Sequence, residues 1–289
     1  MTPSETSTNV CNAAALAGAG TLEALKFILV ETSRPGNIGA AARAMKTMGY
    51  SELVLVRPRF ANATTDPEAI AFASGAQDVL QAAQVVDSIE EALADCNFAA
   101  AVSARLREFS PPVVAPRVLA AQLSNAAACR AALVFGNERF GLPNAIVEKC
   151  NVLINIPANA AYSSLNLAQA VQIVAYECAI ARDTVGIAAL LGSVTSGGVD
   201  AVAVKGGGGG GGTGAGTVGF QSQAAGLQDV EALYVHLEAA LVALEFLDPA
   251  NPKKLMTRLR RMFSRAGLEV EEVNILRGVA SRILRSRQF

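Results

Sequence analysis

Residues 152–178 read VLINIPANAAYSSLNLAQAVQIVAYEC, and their reading decides the fold. The run Val152-Leu153-Ile154-Asn155-Ile156 is short and apolar, as suits a buried strand. Pro157 stops any ladder, because it has no backbone N–H to donate. Small residues at 158–162 form a loop, with Ser163 or Ser164 as the candidate helix cap. Leu167, Val171, Val174 and Cys178 then recur at helical spacing, which predicts a helix from near Leu165. Strand, loop and helix in this order place Ser163, Ser164 and Asn166 at the carboxyl end of a strand, where open α/β sheets bind ligands. A serine ahead of a helix is most often only a cap. The functional reading gains weight because two other polar, glycine-bearing turns also follow apolar runs, at 31–43 and 136–141.

Working outward, residues 24–30 (ALKFILV) read as a strand, 38–48 as a helix ended by Gly49, and 52–56 as the next strand, which is one βαβ unit. Further strands are predicted at 84–86, 97–102 and 131–135, with helices at 69–83, 88–95, 118–123 and 144–149. The proline-bearing segment 106–116 reads as loop. Strands alternating with helices to about residue 183 predict a mostly parallel sheet covered on both faces.

Four segments follow from composition. Residues 1–20 are rich in Ser, Thr and Ala, lack Lys and Arg, and read as a disordered tail without the basic start of a signal peptide. Residues 21–185 form the α/β domain. Residues 186–227 contain the unbroken glycine run 206–212 and read as a flexible linker. No lysine follows that run as a phosphate-binding P-loop requires. Residues 228–289 read as a helical domain, with helices at 230–246, 255–263 and 271–285. Within it Lys253, Lys254, Arg258, Arg260, Arg261 and Arg265 run without an intervening acid, either a solvated face or a surface for a nucleic-acid backbone.

The chain of 289 residues is 52% hydrophobic and 17% charged, enough to build one or two cored domains. Mean hydropathy is +0.34, yet no apolar run approaches the ~18 residues of a membrane span, so a cytoplasmic protein is expected. The net charge of −1 is neutral on nucleic acid, since distribution matters more than the sum. Five scattered cysteines without a CxxC pair argue for free thiols rather than zinc. The single histidine, His236, rules out a multi-histidine metal site and lies far in sequence from the polar turns, so no metal is expected.

With the three turns placed, Glu31-Thr32-Ser33, Gly36-Asn37-Ile38-Gly39 and Ala42-Arg43-Ala44-Met45-Lys46 resemble the first motif of the SPOUT RNA 2′-O-methyltransferases. Residues 133–142 (LVFGNERFGL) resemble the second motif, and 154–157 with 162–171 (INIP, YSSLNLAQAV) the third. The tail stretches 258–266 (RLRRMFSRA) and 272–278 (EVNILRG) are similar to the TrmJ branch, bacterial tRNA (cytidine/uridine-2′-O)-methyltransferases that act on nucleotide 32 of the anticodon loop. A turn without GxGxxG after the first strand argues against a nucleotide-binding oxidoreductase.

The resemblance implies a trefoil knot in the C-terminal part of the α/β domain, an obligate homodimer, and a tRNA site shared between subunits. It implies S-adenosyl-L-methionine as methyl donor and S-adenosyl-L-homocysteine as product. Val102, Ser103, Ala104, Gly136, Ile156, Ser163, Ser164 and Leu165 would cradle the cofactor. Arg43 would be catalytic, with Asn37, Glu138, Ser164 and Asn166 orienting the site; Asn37 can equally be only a helix N-cap, and Arg43 only a helix-surface arginine or an ion-pair partner of Glu138. The basic run from Lys253 to Arg265 would hold the tRNA backbone. Because the pKa of arginine is ~12.5–13.8, Arg43 is expected to bind a phosphate and polarise the 2′-OH rather than remove its proton. The rival expectations are methylation of ribosomal RNA or another tRNA position by the same fold, and an RNA-binding protein that has lost catalysis.

Overall fold

A computed structural model of the chain describes residues 22–106, 110–124, 126, 129–194 and 224–286, and side chains within these except at 184–194. The expected tail at 1–20 and the glycine run at 206–212 lie outside the described residues.

Seven strands form one parallel sheet: β1 (Lys26–Val30), β2 (Leu53–Val56), β3 (Gln84–Val86), β4 (Phe98–Val102), β5 (Val113–Val114), β6 (Ala131–Phe135) and β7 (Val152–Ile154). Their spatial order is β3-β2-β1-β6-β4-β7-β5. β1 and β6 are buried along their whole length, which explains why their sequences are apolar apart from Lys26 at the start of β1, which pairs with Asp95. Side chains alternate between two cores. Phe27, Leu29, Leu53, Leu55, Leu133 and Phe135 face one layer. Ile28, Val30, Val54, Val56, Ala132 and Val134 face the other.

The first layer is covered by α1 (Pro35–Thr47), α2 (Pro67–Ala73), α3 (Gln77–Ala82), α5 (Pro116–Ser124) and α7 (Leu167–Val194), and the second by α4 (Ile89–Ala92) and α6 (Asn144–Val147). α1 packs so closely on α2 that a Cβ at Gly39 would sit 1.9 Å from the Ala69 carbonyl oxygen. Three thiols are sealed in these layers. Burial pushes Cys178 in the first, and Cys96 and Cys150 in the second, up to about 12.

Several elements differ from the sequence reading. The predicted 69–83 helix breaks at Ser74, where φ is 51°, and Lys46 fills the break by donating to the Gly75 carbonyl and pairing with Asp78 at 2.8 Å. The 106–116 loop contains β5, which pairs with β7 through Val113 and Val114. β7 ends at Ile154, and α7 begins at Leu167 rather than near Leu165. Its cap is not Ser163 or Ser164: the Asn166 side chain accepts from the Ala168 N–H at 2.9 Å. α7 also continues past residue 183 into the expected linker.

The C-terminal unit consists of α8 (Leu227–Ala243), α9 (Leu255–Ala266) and α10 (Val270–Ser286), around Leu233, Val273 and Ala225. The end of the segment assigned by sequence to the linker is packed: Ala225 is buried, and the N–H of Leu227, the first residue of α8, donates to the Cys96 carbonyl at 3.0 Å. Lys149 ties the unit to the sheet domain, 3.1 Å from Glu90 and 3.2 Å from Glu231.

Candidate active site

The carboxyl ends of β4, β6 and β7 converge on a cleft of about 260 Å³. Its wall includes all eight residues expected to cradle the cofactor: Val102, Ser103 and Ala104 after β4, Gly136 after β6, and Ile156, Ser163, Ser164 and Leu165 between β7 and α7. Glycine at 136 is obligatory, because a Cβ there would lie 2.3 Å from the Gly141 carbonyl carbon. The loops are cross-tied: the Asn155 side chain donates to the Ser103 carbonyl at 3.1 Å, and the Ser103 N–H donates to the Ile154 carbonyl at 3.0 Å. Apolar Ile156 and Leu165, together with loop backbone groups, suit an adenine-bearing ligand. The volume lies near the lower end of the ~300–1,000 Å³ usual for small-molecule sites.

Beside the cleft runs a chain of polar contacts. Glu138 accepts from the Ser33 N–H at 2.9 Å, the Ser33 hydroxyl at 2.8 Å and the Asn37 side-chain amide at 2.8 Å. The Asn37 amide oxygen accepts from the Asn166 amide at 3.0 Å. Burial would raise the pKa of Glu138, but hydrogen bonds from Asn37 and Ser33 outweigh it and hold the carboxyl below its ordinary range. Glu138 is therefore an ionised orienting group. Asn37 is not a helix cap: α1 starts at Pro35, with Arg34 in the cap position, and Asn37 turns its side chain to Glu138.

Arg43 stands apart. It is exposed on α1, is not in the wall of this cleft, and makes no ion pair with Glu138, whose oxygens are taken by Ser33 and Asn37. Asn37 and Arg43 are six residues apart on α1, which rotates them about 240° from one another at 3.6 residues per turn. Of the basic run, Lys253, Lys254, Arg258, Arg261 and Arg265 are exposed, whereas Arg260 turns inward. Its guanidinium grips both oxygens of Glu231 at 2.6 and 2.8 Å and lies 4.4 Å from the Tyr234 ring centroid. Sequence reasoning passed over Ser33, although it lies inside the first motif, and Asn137, whose side chain donates to the Glu31 carbonyl at 2.5 Å and accepts from the N–H groups of Arg139 and Phe140. An asparagine directly after Gly136 and four residues ahead of Gly141, inside the second motif, was the available signal for the second.

Among the described residues no cluster of His, Cys, Asp and Glu is arranged to hold a metal, and no helix is long and apolar enough to cross a membrane.

A profile described as the SpoU rRNA Methylase family matches residues 24–176, and one described as the tRNA methyltransferase TrmJ C-terminal domain matches residues 228–288. The chain is 41% identical over 91% of its length to the tRNA (cytidine/uridine-2′-O-)-methyltransferase TrmJ of Pectobacterium atrosepticum, covering 97% of that protein. It is 39% identical over 89% of its length to the tRNA (cytidine/uridine/adenosine-2′-O-)-methyltransferase TrmJ of Pseudomonas aeruginosa, covering 93% of that protein. The crystal structure of TrmJ from Z. mobilis superposes with a TM-score of 0.69 at 31% identity, covering 89% of this chain and 98% of that one. With both of its folded parts matched in order, the chain belongs to the SpoU methylase family of RNA methyltransferases, in its TrmJ branch.

Proposed function

We propose that the protein methylates the ribose 2′-OH of cytidine or uridine at nucleotide 32 in the tRNA anticodon loop, with S-adenosyl-L-methionine as donor. The observation that carries this reading is the convergence of the loops after β4, β6 and β7, two of them carrying the second and third motifs, on one cleft that contains every residue expected to hold the cofactor, with the first motif tied to its wall where Ser33 and Asn37 bond Glu138. Tight loops built around Gly136, with apolar Ile156 and Leu165, fit that ligand. Bound there, it supplies a methyl group on a sulfonium leaving group.

The protein's own task is then to hold the hydroxyl and stabilise charge. Glu138 fixes Ser33 and Asn37, and Asn37 fixes Asn166, so the rim beside Ser164 is rigid before substrate arrives. Arg43 binds the phosphate next to the reacting ribose and polarises its 2′-OH. Since Arg43 lies outside the cleft of its own chain, it serves the cleft of a second copy in a homodimer. Tyr176 and Ile180, one turn apart on α7, expose apolar surface of the kind such a dimer covers. We infer further that the chain beyond β4 is threaded as a trefoil knot; β7 and β5 returning outside β4 supports this. The exposed Lys253, Lys254, Arg258, Arg261 and Arg265 hold the tRNA backbone.

The test is transfer of labelled methyl from S-adenosyl-L-methionine to unmodified tRNA, with the modified nucleotide mapped by mass spectrometry. A 2′-O-methyl group at nucleotide 32 is expected. Transfer to ribosomal RNA alone, or to another tRNA nucleotide, would move the substrate. Arg43→Lys should retain cofactor binding and lose most turnover; near-normal turnover would remove the role given to Arg43.

A further inference from the structure

At the rim of the cleft a half-exposed aromatic ring lies close to two arginines, one from its own loop and one from the turn after β2. Phe140, 55% exposed, lines the cleft. The guanidinium carbons of Arg59 and Arg139 lie 5.4 and 5.3 Å from its ring centroid. Arg59 belongs to the turn after β2 and to none of the motif loops.

This group is built rather than incidental. β1 and β2 end side by side, and the next residues, Glu31 and Arg57, both adopt left-handed φ angles of 51° and 45° that side chains other than glycine avoid. Such strain persists where surrounding contacts enforce it, and it clusters at functional sites. Here Glu31 receives Arg57 at 2.9 Å and Arg59 at 3.3 Å, while the Arg59 N–H donates to the Thr32 carbonyl at 3.0 Å. From the other side, the buried Asn137 binds the Glu31 carbonyl with its amide and the Phe140 N–H with its oxygen at 3.1 Å. One frame thus positions Arg57, Arg59, Arg139 and the Phe140 ring together. Three arginines there stand against two carboxylates, Glu31 and the Glu138 next to Arg139.

We infer that Phe140 is a stacking platform for a nucleobase of the RNA substrate adjacent to the reacting ribose, with Arg59 and Arg139 on the flanking phosphates. Every base presents a π face, and stacking on an aromatic ring does not require sequence readout. An excess of guanidinium groups around the ring suits an anionic strand, and the ring's place on the cleft wall puts the stacked base beside the methylated nucleotide. The inference rests on the function proposed above and adds a contact made with the base, where the C-terminal basic run contacts only backbone.

The experiment measures binding of a fluorescently labelled, unmodified tRNA transcript by anisotropy over a series of salt concentrations, alongside methyl-transfer kinetics, calorimetry of cofactor binding and light scattering. Phe140→Ala should weaken tRNA binding about tenfold, as expected for loss of one stacked base. It should raise KM for tRNA more than it lowers kcat, and leave the slope of log Kd against log salt unchanged. Phe140→Trp should keep the affinity and Phe140→Leu should not, because leucine fills space without a π face. Arg59→Ala should reduce the salt slope by about one. Wild-type affinity in Phe140→Ala or Phe140→Leu overturns the platform while the function stands. So does a change of oligomeric state in Phe140→Ala, which would make the ring a seat for a second copy. Weakened cofactor binding with unchanged tRNA affinity overturns it equally. A wild-type protein that neither binds nor methylates tRNA removes the proposed function and the platform with it.

Discussion

Glu138 keeps its negative charge although burial opposes it, because Ser33 and Asn37 donate three hydrogen bonds to it. A carboxyl with a folded pKa below its ordinary value near 4.5 stabilises the fold above that value, and the contribution disappears as pH falls through the folded pKa. Glu138→Gln should therefore be less stable than wild type at pH 7, and the gap in Tm should hold down to about pH 4.5 and narrow only as the pH is lowered further. A constant gap would mean that the network owes nothing to the charge. Turnover of the same variant should fall about ten- to a hundredfold, because Asn37 and Asn166 lose their fixed orientation. At Gly136 the constraint is steric. Gly136→Ala must displace the Gly141–Leu142 backbone that frames the cleft, so calorimetry should show loss of most S-adenosyl-L-methionine affinity.

Helices meet the sheet with little slack, and α1 against α2 is the tightest case. Gly39→Ala would drive a methyl group into the Ala69 carbonyl, an overpacking that should cost about 2–3 kcal/mol in denaturant unfolding. The strand and helix order was legible in the sequence because β6 and, after Lys26, β1 are apolar runs and each is followed by a polar, glycine-bearing turn. Helix starts were less legible. The stretch ahead of α7 offers two serines, yet Asn166 caps the helix. Asn159 turns the preceding chain on itself, accepting from the Ala161 N–H at 2.9 Å and bridging to Tyr162, and Ser163 and Ser164 after this turn line the cleft while Asn166 caps the helix. A local pattern cannot report such a turn. Nor can it report that α1 points Asn37 toward the cleft and Arg43 away from it, since both are polar residues on an amphipathic helix.

Across the whole molecule, the basic run of α9 divides by direction. Arg260 packs over Tyr234 and locks onto Glu231, a residue it could not be paired with from sequence proximity. Arg260→Ala should lower Tm, as expected when a partly buried ion pair is broken, and leave the salt slope of tRNA binding in place. Arg258→Ala and Arg265→Ala should do the reverse, each flattening that slope by about one with little change in Tm. The sealed cysteines carry a different consequence. Cys178 lies under one helical layer, and Cys96 and Cys150 under the other, with thiols that are almost wholly protonated and shielded at neutral pH. Each can be alkylated only when its own layer opens. Mass-resolved thiol modification under native conditions would thus clock the opening of the two faces of the sheet separately, and show whether cofactor or tRNA steadies one face more than the other.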